Sequence, residues 1–373
     1  MSEPTTQWTM DGGPGQAPPA PQRPRDGRFT AMIVSGALAL ALVLVALLLP
    51  VPYVIESPGP TFNTLGTSQG KPVIQVSGHE TYAASGNLDL VTVYVKGGPQ
   101  SSVNIFDAFR AWLNHNDTVV PEELLYAPGT SSDQVAHANA VEMTDSQENA
   151  TAAAMTQLKI PYTTQLSVFA LADPSASRGK LGPNDVLTTI NGAPITDIKV
   201  IQDALAASAG KPVTVGFTRN GTAMDAAITP QKGDNGTYLL GVQLQPKYTF
   251  PFNVDISLAN VGGPSAGMMF ALGIIDTLTP GDLTGGKHFA GTGTIDPTGA
   301  VGPIGGIAQK MVGARSGGAT VFFAPATNCN EVVGHVPAGL QVVKVSTLQD
   351  AYNDVKTIAA GKDASALPTC SAN

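Results

Sequence analysis

Ser265 stands in Gly263-Pro264-Ser265-Ala266-Gly267, a serine held between glycines. Its hydroxyl becomes a nucleophile only when a base takes its proton. The five histidines are scattered, and only His288 and His335 follow the serine. Lys310 lies in "PIGGIAQKMVGARSGG". There Gly305-Gly306 opens a helix that carries Lys310 on its first turns, and Gly317-Gly318 ends it. A lysine serves as a base when burial in an apolar, enclosed site lowers its pKa. Ile307, Met311 and Val312 supply apolar neighbours. Against this stands the general rule that most lysines are solvated surface charges.

These residues need elements to hold them. "NVDISLANVGG" reads as a strand running into a turn, and a helix follows from near Ser265 through "AGMMFALGIIDTL". Pro264 suits a first helical turn, where its missing N–H costs little. Backbone N–H groups at such a helix start, around Gly263, Pro264 and Ala266, can hold an oxyanion. The G-x-S-x-G spacing also fits the nucleophile elbow of an α/β-hydrolase, which needs an acid and then a histidine downstream. An esterase reading would use His335. An inactive peptide-binding scaffold is a third reading.

As a set, "GGPSAGMMFALGIIDTLT", "AGTGTID" and "GAVGPIGGIAQKMVGARSGG" resemble the proteolytic domain of Lon proteases in order and spacing, over residues 237–355. That resemblance implies an α/β (α+β) fold with Ser265 as nucleophile, Lys310 as base and Thr292 as a threonine hydrogen-bonded to the lysine. It also implies a polypeptide substrate and a ring, a hexamer, of such chains. Lon proteases proper add an ATPase module. The stretch closest to a phosphate-binding loop is "GDLTGGK", residues 281–287, but His288 stands where the metal-binding Ser or Thr should be, and a helix precedes it. It reads as a plain loop, and the expected activity is ATP-independent.

Residues 161–231 resemble a bacterial PDZ domain through "ASRGKLGPNDVLTTINGAPI". The resemblance implies a groove taking a peptide as an added strand, with a carboxylate-binding loop near residues 162–168, although no glycine lies there. The uncharged apolar run at residues 29–49, the PDZ unit and the Lon-type block together resemble the membrane-anchored Lon-like PDZ peptidases of actinobacteria.

Upstream, residues 1–28 are rich in Pro, Gly and Gln and read as a disordered tail. Residues 29–49 form a 21-residue run without a charge, long enough to span a bilayer core at ~1.5 Å per residue. Arg23, Arg25 and Arg28 precede it, which puts the N-terminus in the cytoplasm and the rest outside the cell membrane. A cleaved signal peptide is the competing reading. Residues 50–69 read as an extended linker. "LDLVTVYV" reads as a strand and "VNIFDAFRAWL" as a helix. Ser131 or Ser132 caps one helix through Val141, and Thr144 a second. We expect residues 70–160 to complete the same domain as residues 237–355, with the PDZ unit between them and residues 356–373 as a tail. Cys329 and Cys370, the two cysteines of an exported chain, are expected to form a disulfide. A net charge of −8 argues against nucleic acid. The absence of H-E-x-x-H or Cys/His pairs at metal spacing gives no reason to expect a metal or other cofactor.

Overall fold

The computed structural model describes residues 27–371 apart from 234 and 260. The tail expected over 1–28 lies almost wholly outside the described residues. Helix α1, Gly27–Leu48, buries nothing against the rest of the chain and is long and apolar enough to cross a membrane.

The chain then enters strand β1, Tyr53–Asn63, and strand β2, Asn87–Gly97. Helix α2, Ile105–Leu113, starts from Asn104, whose side chain and Asp107 form a capping box. Strand β3, Thr118–Pro121, follows. Helix α3, Ser132–Leu158, starts from a capping box of Ser131 and Gln134 and runs unbroken for 27 residues. Thr144 does not begin a second helix. Its hydroxyl donates to the Ala140 carbonyl one turn back, so the residue that suggested a cap is satisfied inside a continuing helix.

Next come β4 (Thr163–Leu171), β5 (Val186–Ile190), α4 (Ile198–Ser208), β6 (Val213–Arg219), β7 (Thr222–Ile228) and β8 (Val242–Thr249). They form an antiparallel sheet in the order β7-β6-β5-β4-β8, with α4 and the sheet closing around Val215, Phe217 and Ile190. Helix α5, Gly267–Leu278, leads to β9 (His288–Gly291), α6 (Ile307–Ser316) and β10 (Val321–Pro325). Helix α7 (Cys329–Val332), β11 (Gln341–Val345) and α8 (Leu348–Ala359) complete the chain.

The first sheet has the order β11-β10-β9-β2-β1-β3. Its β11, β10, β9 and β2 run parallel, whereas β1 and β3 are antiparallel additions. Strands from before and after the second sheet thus share one ladder, with His288 opposite Asn87 and Gly291 opposite Leu90. The segment 50–69 is extended, but most of it is strand β1 between β2 and β3. Helix α5 is apolar apart from Asp276 and Thr277, and every residue but Thr277 is buried, as befits a helix covered on all sides. It packs beneath α3, and Phe270, Leu272, Ile275, Ala154 and Met155 share one core with Leu88 and Leu90 of β2.

Candidate active site

Helix α5 begins at Gly267 after Ala266, so Ser265 sits just ahead of the helix and Pro264 lies outside its first turn. The turn is fixed from outside instead. Ser146 of α3 donates to the Pro264 carbonyl at 3.0 Å. The Gly263 N–H donates to Asn139 O, also on α3, at 3.0 Å. Gly267 leaves no room for a side chain: a Cβ there would lie 2.8 Å from Ile295 Cγ2 and 3.0 Å from Ser146 Oγ. Met268 N–H donates to Gly293 O at 3.1 Å, and Phe270 N–H to Ala266 O at 3.0 Å.

Lys310 comes from the first turns of α6. Gly306 caps that helix in the left-handed conformation, with φ 65°. Ile307, Met311 and Ala314 on the same helix are buried with Val91 and Phe322, and this packing drives the lysine inward. Its side chain is 3% exposed. Lys310 Nζ lies 3.4 Å from Thr292 Oγ1, and that hydroxyl in turn donates to the Ser265 carbonyl at 2.9 Å. The Gly293 N–H reaches the same carbonyl at 2.8 Å. Thr292 is fully buried and therefore links the backbone of the serine to the amine.

Burial lowers the pKa of Lys310 to about 8, and the Glu56 carboxylate opposes that fall. Burial likewise raises the pKa of Glu56, against the attraction of Lys310 and with help from Glu331. Glu56 projects from β1 and was not among the residues singled out from the sequence. In the ladders it stands opposite Val95 of β2 and Thr118 of β3, and a Cβ on Gly306 would approach its Oε2 to 3.4 Å.

Ser265, Ala266, Gly263 and Lys310 all line one cleft of about 1200 Å³. Ser265 is half-buried on its wall. Among the described residues its hydroxyl makes no hydrogen bond, and the Lys310 amine bonds Thr292 rather than Ser265. Strand β2, from Leu90 to Val95, also lines the cleft, and α3 contributes Asn139, Ala140 and Met143. Strand β9 pairs with β2 only as far as Leu90. Beyond that point β2 keeps β1 on one side and presents its other edge to the cleft.

Among the described residues, no histidine lines this cleft. His335 is exposed in the loop after α7, and His288 Nε2 bonds Asp89 at 2.8 Å. Residues 281–287 form a loop after α5, and Lys287 Nζ donates to the Ile358 carbonyl at the end of α8 at 2.6 Å. Cys329 and Cys370 form a disulfide with an S–S distance of 2.05 Å, which ties the C-terminal residues to α7.

In the second sheet, β4 is an inner strand between β5 and β8, so residues 162–168 do not offer a free edge to a peptide. The edge strand is β8, which begins just after Gly241, φ 70°. Ser175 and Ser177 donate to the carbonyls of Gly241 and Leu240 and fix that turn. A glycine-led loop before an edge strand thus lies in "TYLLGVQL", some seventy residues beyond the segment 162–168.

Residues 259–357 match the family model of the Lon protease (S16) C-terminal proteolytic domain. A Lon protease of Campylobacter concisus is 30% identical over 132 residues, 34% of this chain and 16% of that protein. Lon protease 1 of Bacillus subtilis is 27% identical over 168 residues, 44% of this chain and 21% of that protein. The chain therefore spans a minor part of the length of these relatives. Among solved structures, the PDZ domain of an SdrC-like protein from Listeria monocytogenes is similar at 20% identity, covering 21% of this chain and 85% of that one, with a TM-score of 0.20.

Proposed function

We propose that this chain, with a Lon-type proteolytic domain over residues 259–357, is an ATP-independent, membrane-anchored serine endopeptidase that works with a Ser265–Lys310 dyad. The observation that carries the reading is a lysine 3% exposed, with a hydroxyl as its hydrogen-bond partner, opening into the cleft that also holds Ser265. A neutral amine donates to Thr292 and keeps a lone pair for the serine proton. As Ser265 Oγ attacks the scissile carbonyl, Lys310 Nζ takes its proton. The oxyanion is held by N–H groups at the start of α5, beside Ala266 and Gly267. The resulting ammonium then protonates the leaving amine, and the acyl-enzyme is released by water that gives its proton to the same nitrogen.

The free edge of β2 suits an extended substrate, which would lie along residues 91–95 as an added strand. The edge of β8 offers the second module a place for a peptide of the same shape. We read residues 70–160 and the Lon-type block as one catalytic unit with that module inserted. Helix α1 is read as the anchor, with the catalytic unit outside the cytoplasm, where little ATP is present. The resemblance to Lon proteases implies a hexamer, which we include in this reading.

The test is cleavage of an unstructured reporter peptide, without nucleotide, by the full chain and by Ser265→Ala and Lys310→Ala. Loss of cleavage in both variants, with melting unchanged in Ser265→Ala, supports the dyad. Full activity of Lys310→Ala refutes it. Protease added to intact spheroplasts should digest the catalytic unit, and its protection would refute the topology.

A further inference from the structure

Helix α2 is built the wrong way round for a soluble surface. Its small residues, Ala108 and Ala111, pack on the body of the domain against Ile55 and Val103. Its bulky apolar residues point away from the protein. Phe106 is 60% exposed, Phe109 56%, Trp112 75% and Leu113 60%. They fall at i, i+3, i+6 and i+7 and so share one face of the helix. A whole aromatic side chain presents about 150–250 Å², so this face alone exposes roughly 400–500 Å² of apolar surface, and Leu124, at 71% exposure, adds to it. That matches the largest patches tolerated on soluble monomers, which are commonly interaction sites.

The position of the face identifies what covers it. Pro50 and Val51, immediately after α1, pair antiparallel with Asn104 and Val103, and Asn104 is the cap of α2. Strands so paired lie ~5 Å apart, so α2 starts one strand-width from the end of α1. The Leu124 turn begins at the same level, where Glu122 N–H donates to Pro52 O. The polar residues of α2 stay at its flank, with Asp107 held by Lys96 at 2.9 Å. A short helix with Phe, Trp and Leu on one face and charges beside it has the composition of an interfacial helix.

We propose that α2 lies in the headgroup–acyl boundary of the bilayer with Phe106, Phe109, Trp112 and Leu113 inserted, so that the catalytic unit sits on the lipid surface at two points. This rests on the reading of α1 as a membrane anchor. The test uses the full chain with Trp8→Phe, which leaves Trp112 as the sole tryptophan, in phosphatidylcholine vesicles with plain or brominated acyl chains. At least about a twofold loss of Trp112 emission in brominated vesicles is expected, with little quenching by aqueous iodide. In a Phe106→Asp/Phe109→Asp background, whose folding is checked by circular dichroism, that loss should shrink while the chain still floats with the vesicles. Equal emission in both lipids, with strong iodide quenching, overturns the proposal. Protection from both quenchers also overturns it, because a second protein surface then covers the face. A chain that fails to float with vesicles overturns the anchor reading itself, which separates the two failures.

Discussion

The state of the Lys310 amine sets a measurable pH dependence. With a pKa of about 8, roughly one lysine in eleven is neutral at pH 7, half at pH 8 and about ten in eleven at pH 9. If neutral Lys310 is the base, kcat/KM on an uncharged reporter peptide rises about tenfold from pH 7 to 9 and then levels off. Replacing Glu56 by Gln removes the carboxylate that holds the lysine pKa up. Without it, desolvation acts unopposed and the midpoint moves to lower pH. A fall of one unit would raise the neutral fraction at pH 7 from about a tenth to about a half, a fivefold gain in kcat/KM at that pH with little change at pH 9. The assay is a pH–kcat/KM profile of wild type and Glu56→Gln, each checked for folding at every pH. A midpoint that stays put, or moves upward, refutes the assignment of the profile to Lys310. A uniform loss at all pH values would instead mark Glu56 as a positioning residue for α6.

The same burial carries a stability cost. The folded pKa of Lys310 is depressed below its usual value near 10.4, so the folded state disfavours its charged form at all pH below about 8 and recovers as pH rises toward the unfolded value. Lys310→Met should therefore abolish cleavage yet stabilise the protein at pH 7, by up to roughly 3 kcal/mol, with the gain shrinking above pH 8; a lower melting temperature at pH 7 would contradict this. Gly306→Ala should cost about 1–2 kcal/mol through its left-handed backbone and should depress kcat further, because a Cβ there lies 2.9 Å from Val93 Cγ1 and pushes α6 off its site; unchanged kinetics would count against the close fit. Reducing Cys329–Cys370, which closes 41 residues, should lower stability by about 2–4 kcal/mol in chemical denaturation while leaving peptide cleavage intact under native conditions, and coincident oxidised and reduced unfolding curves would show that the bond contributes nothing.

The residues most legible in the sequence are those whose roles are local. Gly305-Gly306 opens α6 and Gly317-Gly318 closes it, so Lys310 could be set on its first turns from spacing alone. The serine turn was equally visible, although Pro264 does not enter the helix, because Ser146 and Asn139 of α3 hold the turn rather than helical geometry. Glu56 was out of reach. Nothing near it in sequence relates it to Lys310, and only the register of β1 against β2 and β3 brings it to the lysine. The free edge of the second sheet was missed for a related reason: β8 is the strand farthest along the chain, and only its pairing with β4 reveals that β4 is covered. Thr144 shows the limit of cap signals, since a threonine satisfied by the carbonyl four residues back fits a helix interior as well as a start.

Strand β1 leaves the end of α1 almost directly, and Glu56 beside the lysine comes six residues after Pro50. At ~3.3 Å per extended residue, Glu56 stands no more than about 20 Å from Pro50, close to where the chain leaves the anchor. With α1 in the bilayer as proposed, this segment acts as a ruler. A substrate that stays rooted in the same membrane then needs no long tether to bring a peptide bond to the cleft. Cleavage should then favour bonds close to the lipid and leave a short membrane-bound stub, and bonds held far above the membrane should survive whatever their sequence.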